Sequence, residues 1–382
     1  MRRRLLILLA VVVLSVACGI GQTTTLVPPN STPLPVSKGR CGDGVCDGPE
    51  TAASCPDDCA ATGEPSATDV PPVYFFYAIH THASGDYLPY DGPAMQTIDT
   101  QTADNMLAAI EGIAEVLDRY GVKGTWEVVD GTAKGLCAYG GEDHVFKRLQ
   151  AGGHEIGAHA HQIEDIDDAF YALRDNCGIV AQMNSGFIAQ ISQDAPQETM
   201  SLAIQASVDL GMTVGTANLS PGGKNPFSDL CGDQLGVGND MWPRSGNLMF
   251  PWRPDAANRN ICADNPLGEM VVVDHVSIEW LILPGSGGPP DVLADAHFDQ
   301  LRAYFDAALQ YVEEDRPERV AVWGFVTHIT EYAPGSKAES PPDPAALAAL
   351  DRFLAYVDAK RAEGRVVYVT ASEAADLAFP ER

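Results

Sequence analysis

From residue 73 onward, short and almost wholly apolar runs alternate with amphipathic stretches of helical period, a rhythm that few folds accept. VYFFYAI (73–79) reads as a buried strand, and DNMLAAIEGIAEVLDRYG (104–121) as a helix stopped by Gly121. VKGTWEVV (122–129) predicts a second strand, EDHVFKRLQAGG (142–153) a helix, and HEIGAHAH (154–161) a third strand. A helical region is expected from Asp167 to Gly211, broken at Pro196, followed by strands near 212–219, 247–253 and 269–278. Helices from Ala294 to Glu314 and from Pro344 to Glu363 flank the strand RVAVWGFVTH (319–328), and VVYVT (366–370) is a last strand. Alternation at this interval requires crossover helices between parallel strands, hence an α/β fold with barrel-like closure.

Such barrels carry their chemistry at the carboxyl ends of the strands. That rule sorts the nine histidines. His80, His82, His159, His161, His275 and His328 fall at or near predicted strand ends. His144 and His297 fall on predicted helices and are expected at the surface, and His154 opens a strand at the opposite pole. Neutral imidazoles converge where a divalent cation organises them, so a metal site is the economical reading of the six, zinc being the expected metal. His80 and His82 are two apart on one strand and share a face, so both can point into one pocket.

Composition narrows the partners. Lys and Arg total 24 against 52 Asp and Glu, a formal charge of −28 that repels nucleic-acid phosphates and anionic headgroups. Arg2 to Arg4 form a basic start, and Leu5 to Ala17 an apolar run too short to span a bilayer, as in a cleaved signal. Ser15-Val16-Ala17-Cys18 resembles a bacterial lipobox. That resemblance implies a signal peptide over 1–17, lipidation at Cys18, and a protein exported and anchored at the cell surface or in the periplasm. Residues 18–40 are rich in Thr and Pro and read as a tether. Residues 41–59 hold four cysteines (Cys41, Cys46, Cys55 and Cys59) with five acids and no Lys or Arg. This module is too small to fold by burial alone, so two disulfides are expected, and its acids could hold Ca²⁺. A linker over 60–72 leads to a main domain over 73–382. Cys137, Cys177, Cys231 and Cys262 fall in predicted loops, with Cys137–Cys177 and Cys231–Cys262 the preferred local pairs.

Within the main domain, GVKGTWEVV, a helix and RLQAGGHEIGAHAH follow one another in a way that resembles the NodB-type polysaccharide deacetylases. MTVGTANLSPGG, VAVWGFVTHITEY and VVYVTASEAADLA stand where that family has its third motif, its terminal histidine motif and its closing strand and helix. The resemblance implies a distorted (β/α)7-8 barrel and a metal-dependent hydrolase removing an acyl (acetyl) group from an extracellular or cell-wall carbohydrate. By the same resemblance His159 is a metal ligand and His328 the acid that protonates the leaving group.

The departures are as informative. The family's first motif carries two adjacent Asp residues, whereas this strand ends AIHTHASGD, so His80 and His82 stand where the carboxylates would be. The missing base is to be sought among Asp86, Asp130 and Glu127, the last facing either the barrel or the helices. Ile163 occupies the place of the family's second His, for which His161 or Glu164 could compensate. The third motif lacks its Arg, and Arg253 could supply one from a neighbouring strand. Two other readings stay open. His-x-His at strand one also resembles the amidohydrolase and PHP-type metallohydrolases, and a barrel without its base could be a non-catalytic glycan-binding lipoprotein. The irregular stretch from Leu219 to Asn247 is expected to form a groove rim, with Trp242, Trp252 and Trp280 as candidate sugar-stacking residues.

Overall fold

The computed structural model describes residues 70–82, 99–160, 162–186, 196–218, 249–258, 260–278, 292–336, 338 and 340–382. The chain separates into two units, Met1–Glu64 and Pro65–Arg382, and every described residue belongs to the second. The signal, the tether and the cysteine module therefore lie outside the described residues, as do Asp86, His161, Cys231, Trp242 and Trp280.

In chain order the elements are β1 (Val73–Thr81), α1 (Thr100–Tyr120), β2 (Thr125–Val128), α2 (Asp130–Gly140), α3 (Val145–Ala151), β3 (Glu155–His159), α4 (Glu164–Cys177), β4 (Met183–Ser185) and α5 (Pro196–Asp209). There follow β5 (Val214–Asn218), a two-stranded hairpin of β6 (Pro254–Asp255) and β7 (Asn260–Asp264), β8 (Val271–Ser277), α6 (Asp295–Asp315), β9 (Val322–His328), α7 (Pro344–Ala362), β10 (Val366–Tyr368) and α8 (Ala371–Ala378). Strands β1, β2, β3, β4, β5, β8 and β9 pair in that order, all parallel, and β9 pairs back onto β1. The expected barrel is present, with seven strands. β10 adds to the start of β1 alone, where Val73 faces Val366.

The alternation of side chains along each strand creates two apolar layers, which is why β1 reads as a continuous apolar run. Val73, Phe75, Tyr77 and Ile79 face the helices and join the main core with Trp323, Phe325 and the inner face of α1. Phe76, Ala78, Met183, Val214, Val271, Val273, Val322 and Val326 face inward and plug the lower barrel. Ala371, Ala374 and Ala375 of α8 seal that pole. α8 is held there by Glu155, which accepts hydrogen bonds from Thr125 Oγ1 (3.0 Å), the Ser372 backbone N–H (3.2 Å) and the Ser372 hydroxyl.

Gly324 of β9 lets the plug close. A Cβ added there would stand 2.2 Å from the ring of Phe76, which is itself fully buried. Gly324→Ala is therefore expected to cost about 1–3 kcal/mol, the range for an overpacked core. A denaturant titration should show the loss, and a second change, Phe76→Leu, should recover part of it.

Several expectations need correction. The helical region expected from Asp167 to Gly211 is two helices with β4 between them. That strand has three residues, two of them polar (Asn184, Ser185), too few to show a period. The strand expected at 247–253 is absent among its described residues: Trp252 makes one antiparallel bridge to Val272, and the flanking prolines Pro251 and Pro254 cannot donate to a ladder. Trp252 belongs to the core packed under the helices. Cys137 and Cys177 lie on α2 and α4 rather than in loops, and they form a disulfide with each other. Cys262 lies on β7. His144 and His297 are buried, not on the surface, because each caps a helix. His144 Nδ1 accepts from the Lys147 N–H at the start of α3, and His297 Nδ1 accepts from the Ala294 N–H at the start of α6. Among the described residues no helix is long and apolar enough to cross a membrane.

Candidate metal centre

Above the apolar plug the inward-facing positions become polar. β1 brings His80, β2 Glu127, β3 His159, β4 Ser185, β5 Thr216, β8 His275 and β9 His328, all buried. The register fixes this level, since His80 pairs with both Glu127 and His328, and His159 with Ser185. His82 stands two residues beyond His80 on the same face, its ring 4.7 Å from that of His328 and 5.6 Å from that of His159.

His80 is the centre of the cluster. Its Nε2 lies 2.7 Å from Glu127 Oε2, its Nδ1 3.0 Å from His328 Nε2, and its ring 4.0 Å from that of His159. Glu127 points into the barrel: Oε1 accepts from Thr216 Oγ1 at 2.7 Å, and Oε2 stands 4.0 Å from His159 Nδ1. Ser185 Oγ lies 2.7 Å from His159 Nδ1. Gly186, with φ at +81°, lets the chain turn against that imidazole, because a Cβ there would meet His159 Cε1 at 2.6 Å.

Burial sets the protonation. It pushes the Glu127 carboxyl up to about 7, against hydrogen bonds from Thr216 and Ser185 that act the other way. Burial also drives His80 well below the ordinary imidazole range, helped by His159, His328, His82 and His275 around it. His275 falls to about 3, again chiefly through burial. His80 and His275 are thus held neutral, the form that binds metal.

The donor set fits a divalent cation. His80, His82 and His159 bring one ligand atom each to within 4.8 Å of one another, and so do His80, Glu127 and His275. His80 Nε2 and Glu127 Oε2 stand 2.7 Å apart without a hydrogen bond, and His275 Nδ1 has no hydrogen-bond partner among the described residues. Orphaned buried polar atoms are costly, and a cation would satisfy them. Three histidines with an open fourth position suit catalytic zinc. Cys137, Cys177 and His144 also lie close together, but the two sulfurs are bonded to each other and are no ligands.

The cluster takes in only part of the expected set. His80, His82, His159, His328 and Glu127 come together. Asp130 begins α2 and pairs with Lys134 at 3.0 Å, partly exposed, so Glu127 holds the inward place on that strand. Glu164 is exposed at the start of α4. Arg253 does not reach the cluster. It precedes the hairpin at the strand-start pole, where its guanidinium stacks 4.2 Å from the Phe379 ring centroid and donates to Pro266 O. Glu331 is not singled out by the sequence, and His275, one of the six strand-end histidines read as a metal site, is not among the ligands named individually. The structure brings His275 to the cluster beside His80 and Glu127. Glu331 lies in the turn after β9, with no signal beyond its distance of three residues from His328.

No model of a known protein family matches the chain, and no curated protein does. Several solved structures are similar to it over most of their length, at low identity. A protein from Mycobacterium smegmatis described as a polysaccharide deacetylase is 15% identical, covering 81% of this chain and 91% of that one, with a TM-score of 0.47. One so described from Pseudomonas aeruginosa PAO1 is 12% identical over 82% and 93%, with a TM-score of 0.49. Puue allantoinase is 13% identical over 81% and 92%, also with a TM-score of 0.49. Identity this low says nothing of substrate, so what the site does has to come from its own residues.

Proposed function

We propose that the protein is a metal-dependent hydrolase that removes an acyl group, acetyl in the first instance, from an extracellular or cell-wall carbohydrate. One observation carries this reading: His80, His82 and His159 converge at the carboxyl pole of the barrel with the buried carboxylate of Glu127 against them. These three histidines are the proposed holders of the cation. When bound, a divalent cation such as Zn²⁺ polarises an acyl carbonyl and acidifies a water.

Glu127 is the group placed to move the proton. It takes one from the attacking water as the new C–O bond forms, then returns it to the departing sugar nitrogen or oxygen as the acyl bond breaks. A carboxyl that titrates near neutrality suits both halves of that exchange. Thr216 holds Glu127 from β5 across the barrel, and Ser185 holds His159 from the neighbouring β4. His328, expected as the acid, has its ring nitrogens turned to His80 and Glu331, so Glu127 is better placed to return the proton.

The carbohydrate and the export are proposals resting on the sequence: the deacetylase resemblance around His159, and the lipobox-like run ending at Cys18. The assay is release of acetate from acetylated chito-oligosaccharides by zinc-loaded protein. Binding of the oligosaccharide without release would favour the glycan-binding reading. The second donor group, His80 with Glu127 and His275, favours a two-cation hydrolase of the His-x-His kind, and two tightly bound metals per chain would select it.

A further inference from the structure

Behind His328 lies a carboxylate that has no part in the chemistry above. Glu331 sits in the 3₁₀ turn Ile329–Tyr332 that directly follows β9 and is only 4% exposed. Its Oε2 accepts the His328 backbone N–H at 2.7 Å, and its Oε1 lies 3.5 Å from His328 Nδ1. The turn is pinned from several sides. The Leu293 N–H donates to Glu331 O, the Asp343 N–H donates to Tyr332 O, and the Tyr332 hydroxyl meets that of Tyr77 at 2.7 Å. Tyr77 in turn meets Thr327 Oγ1 at 2.5 Å.

We infer that Glu331 is a positioning residue, which fixes the tautomer of His328 and, through it, that of His80, so that the Nε2 lone pair of His80 is presented to the cation. The inference rests on the metal reading proposed above. A neutral imidazole carries one N–H, and a carboxylate facing Nδ1 selects the Nδ1–H form of His328. His328 Nε2 is then an acceptor. Since it lies 3.0 Å from His80 Nδ1, His80 must be the donor of that bond, protonated on Nδ1. Its Nε2 is left bare and faces the cluster. His80 Nε2 lies 2.7 Å from Glu127 Oε2, a distance that a single proton bridges, and with that proton on the Glu127 carboxyl the Nε2 lone pair of His80 stays in place. Outer carboxylates that orient ligating histidines in this way commonly change metal affinity 10–100-fold.

Glu331→Gln tests the inference at nearly constant shape. The amide oxygen can keep the His328 N–H while the NH₂ faces His328 Nδ1, which reverses the chain and places a proton on His80 Nε2. The variant should keep its thermal midpoint within a few degrees and bind Zn²⁺ about 10–100-fold more weakly by calorimetry. Long-range ¹H–¹⁵N spectra of metal-free, ¹⁵N-histidine-labelled protein should show His328 protonated on Nδ1 and His80 bare at Nε2, and both reversed in the variant. Glu331→Asp, which keeps an acceptor there, should retain the wild-type tautomers. Unchanged tautomers and unchanged zinc affinity in Glu331→Gln would overturn the inference. A wild-type protein that binds no Zn²⁺ would instead sink the metal reading, while the spectra of the metal-free protein would still decide what Glu331 does.

Discussion

Glu127→Gln is expected to lower acetate release 10²–10⁴-fold, the span that a positioned general base contributes, with substrate and metal still bound. The same change has a second signature. Because burial raises the folded Glu127 from 4.5 to about 7, the folded chain holds a proton that the unfolded chain has lost in that window. The metal-free wild type therefore carries a destabilising contribution that is absent below pH 4.5, grows as the pH rises, and levels off above 7. A shift of this size corresponds to something on the order of 3 kcal/mol. His80 and His275 act in the opposite sense, since their depressed values make stability rise with pH up to 6.5. The test is accordingly the difference between the variant and wild-type curves of unfolding free energy against pH. Glutamine cannot ionise, so the variant should gain on the wild type between pH 4.5 and 7. A flat difference would mean that Glu127 is already ionised in the folded chain.

His159→Ala should do the most damage to metal binding. It removes a direct ligand, so the loss of Zn²⁺ affinity should exceed the roughly 10–100-fold expected of an outer partner, with acetate release falling to background. The fold should survive, since His159 stands above the apolar plug rather than within it. Near-native circular dichroism beside undetectable zinc is the expected pair of results. Retained zinc and retained hydrolysis would move the site elsewhere in the cluster, first to His80, Glu127 and His275.

Much of this site could be read from the sequence because strands have a period of two. His80 and His82 share a face for that reason alone. Glu127 was legible as a candidate but not its direction, which depends on the register that pairs it with His80. GGHEIGAH was matched as one block, yet its parts serve opposite poles about 16 Å apart, at roughly 3.3 Å per strand residue. His159 joins the cluster at one end. At the other, His154 Nδ1 accepts the Gly124 N–H and Glu155 clasps α8. His144 and His297 were misplaced because a polar residue near a helix start looks solvated, while a cap is buried by what it caps. β4 was hidden by its brevity, and Glu331 by lying in a turn, where no period marks a face.

The plug of Phe76, Met183 and the valines, closed by the alanines of α8, has a consequence for the kind of substrate that can be served. A barrel stoppered at one pole has a single mouth, and whatever enters must leave by the same way. A long glycan cannot be threaded through it. On the proposed function, the acylated group would therefore approach the histidines from the carboxyl pole, and the freed acyl group would leave on that same side.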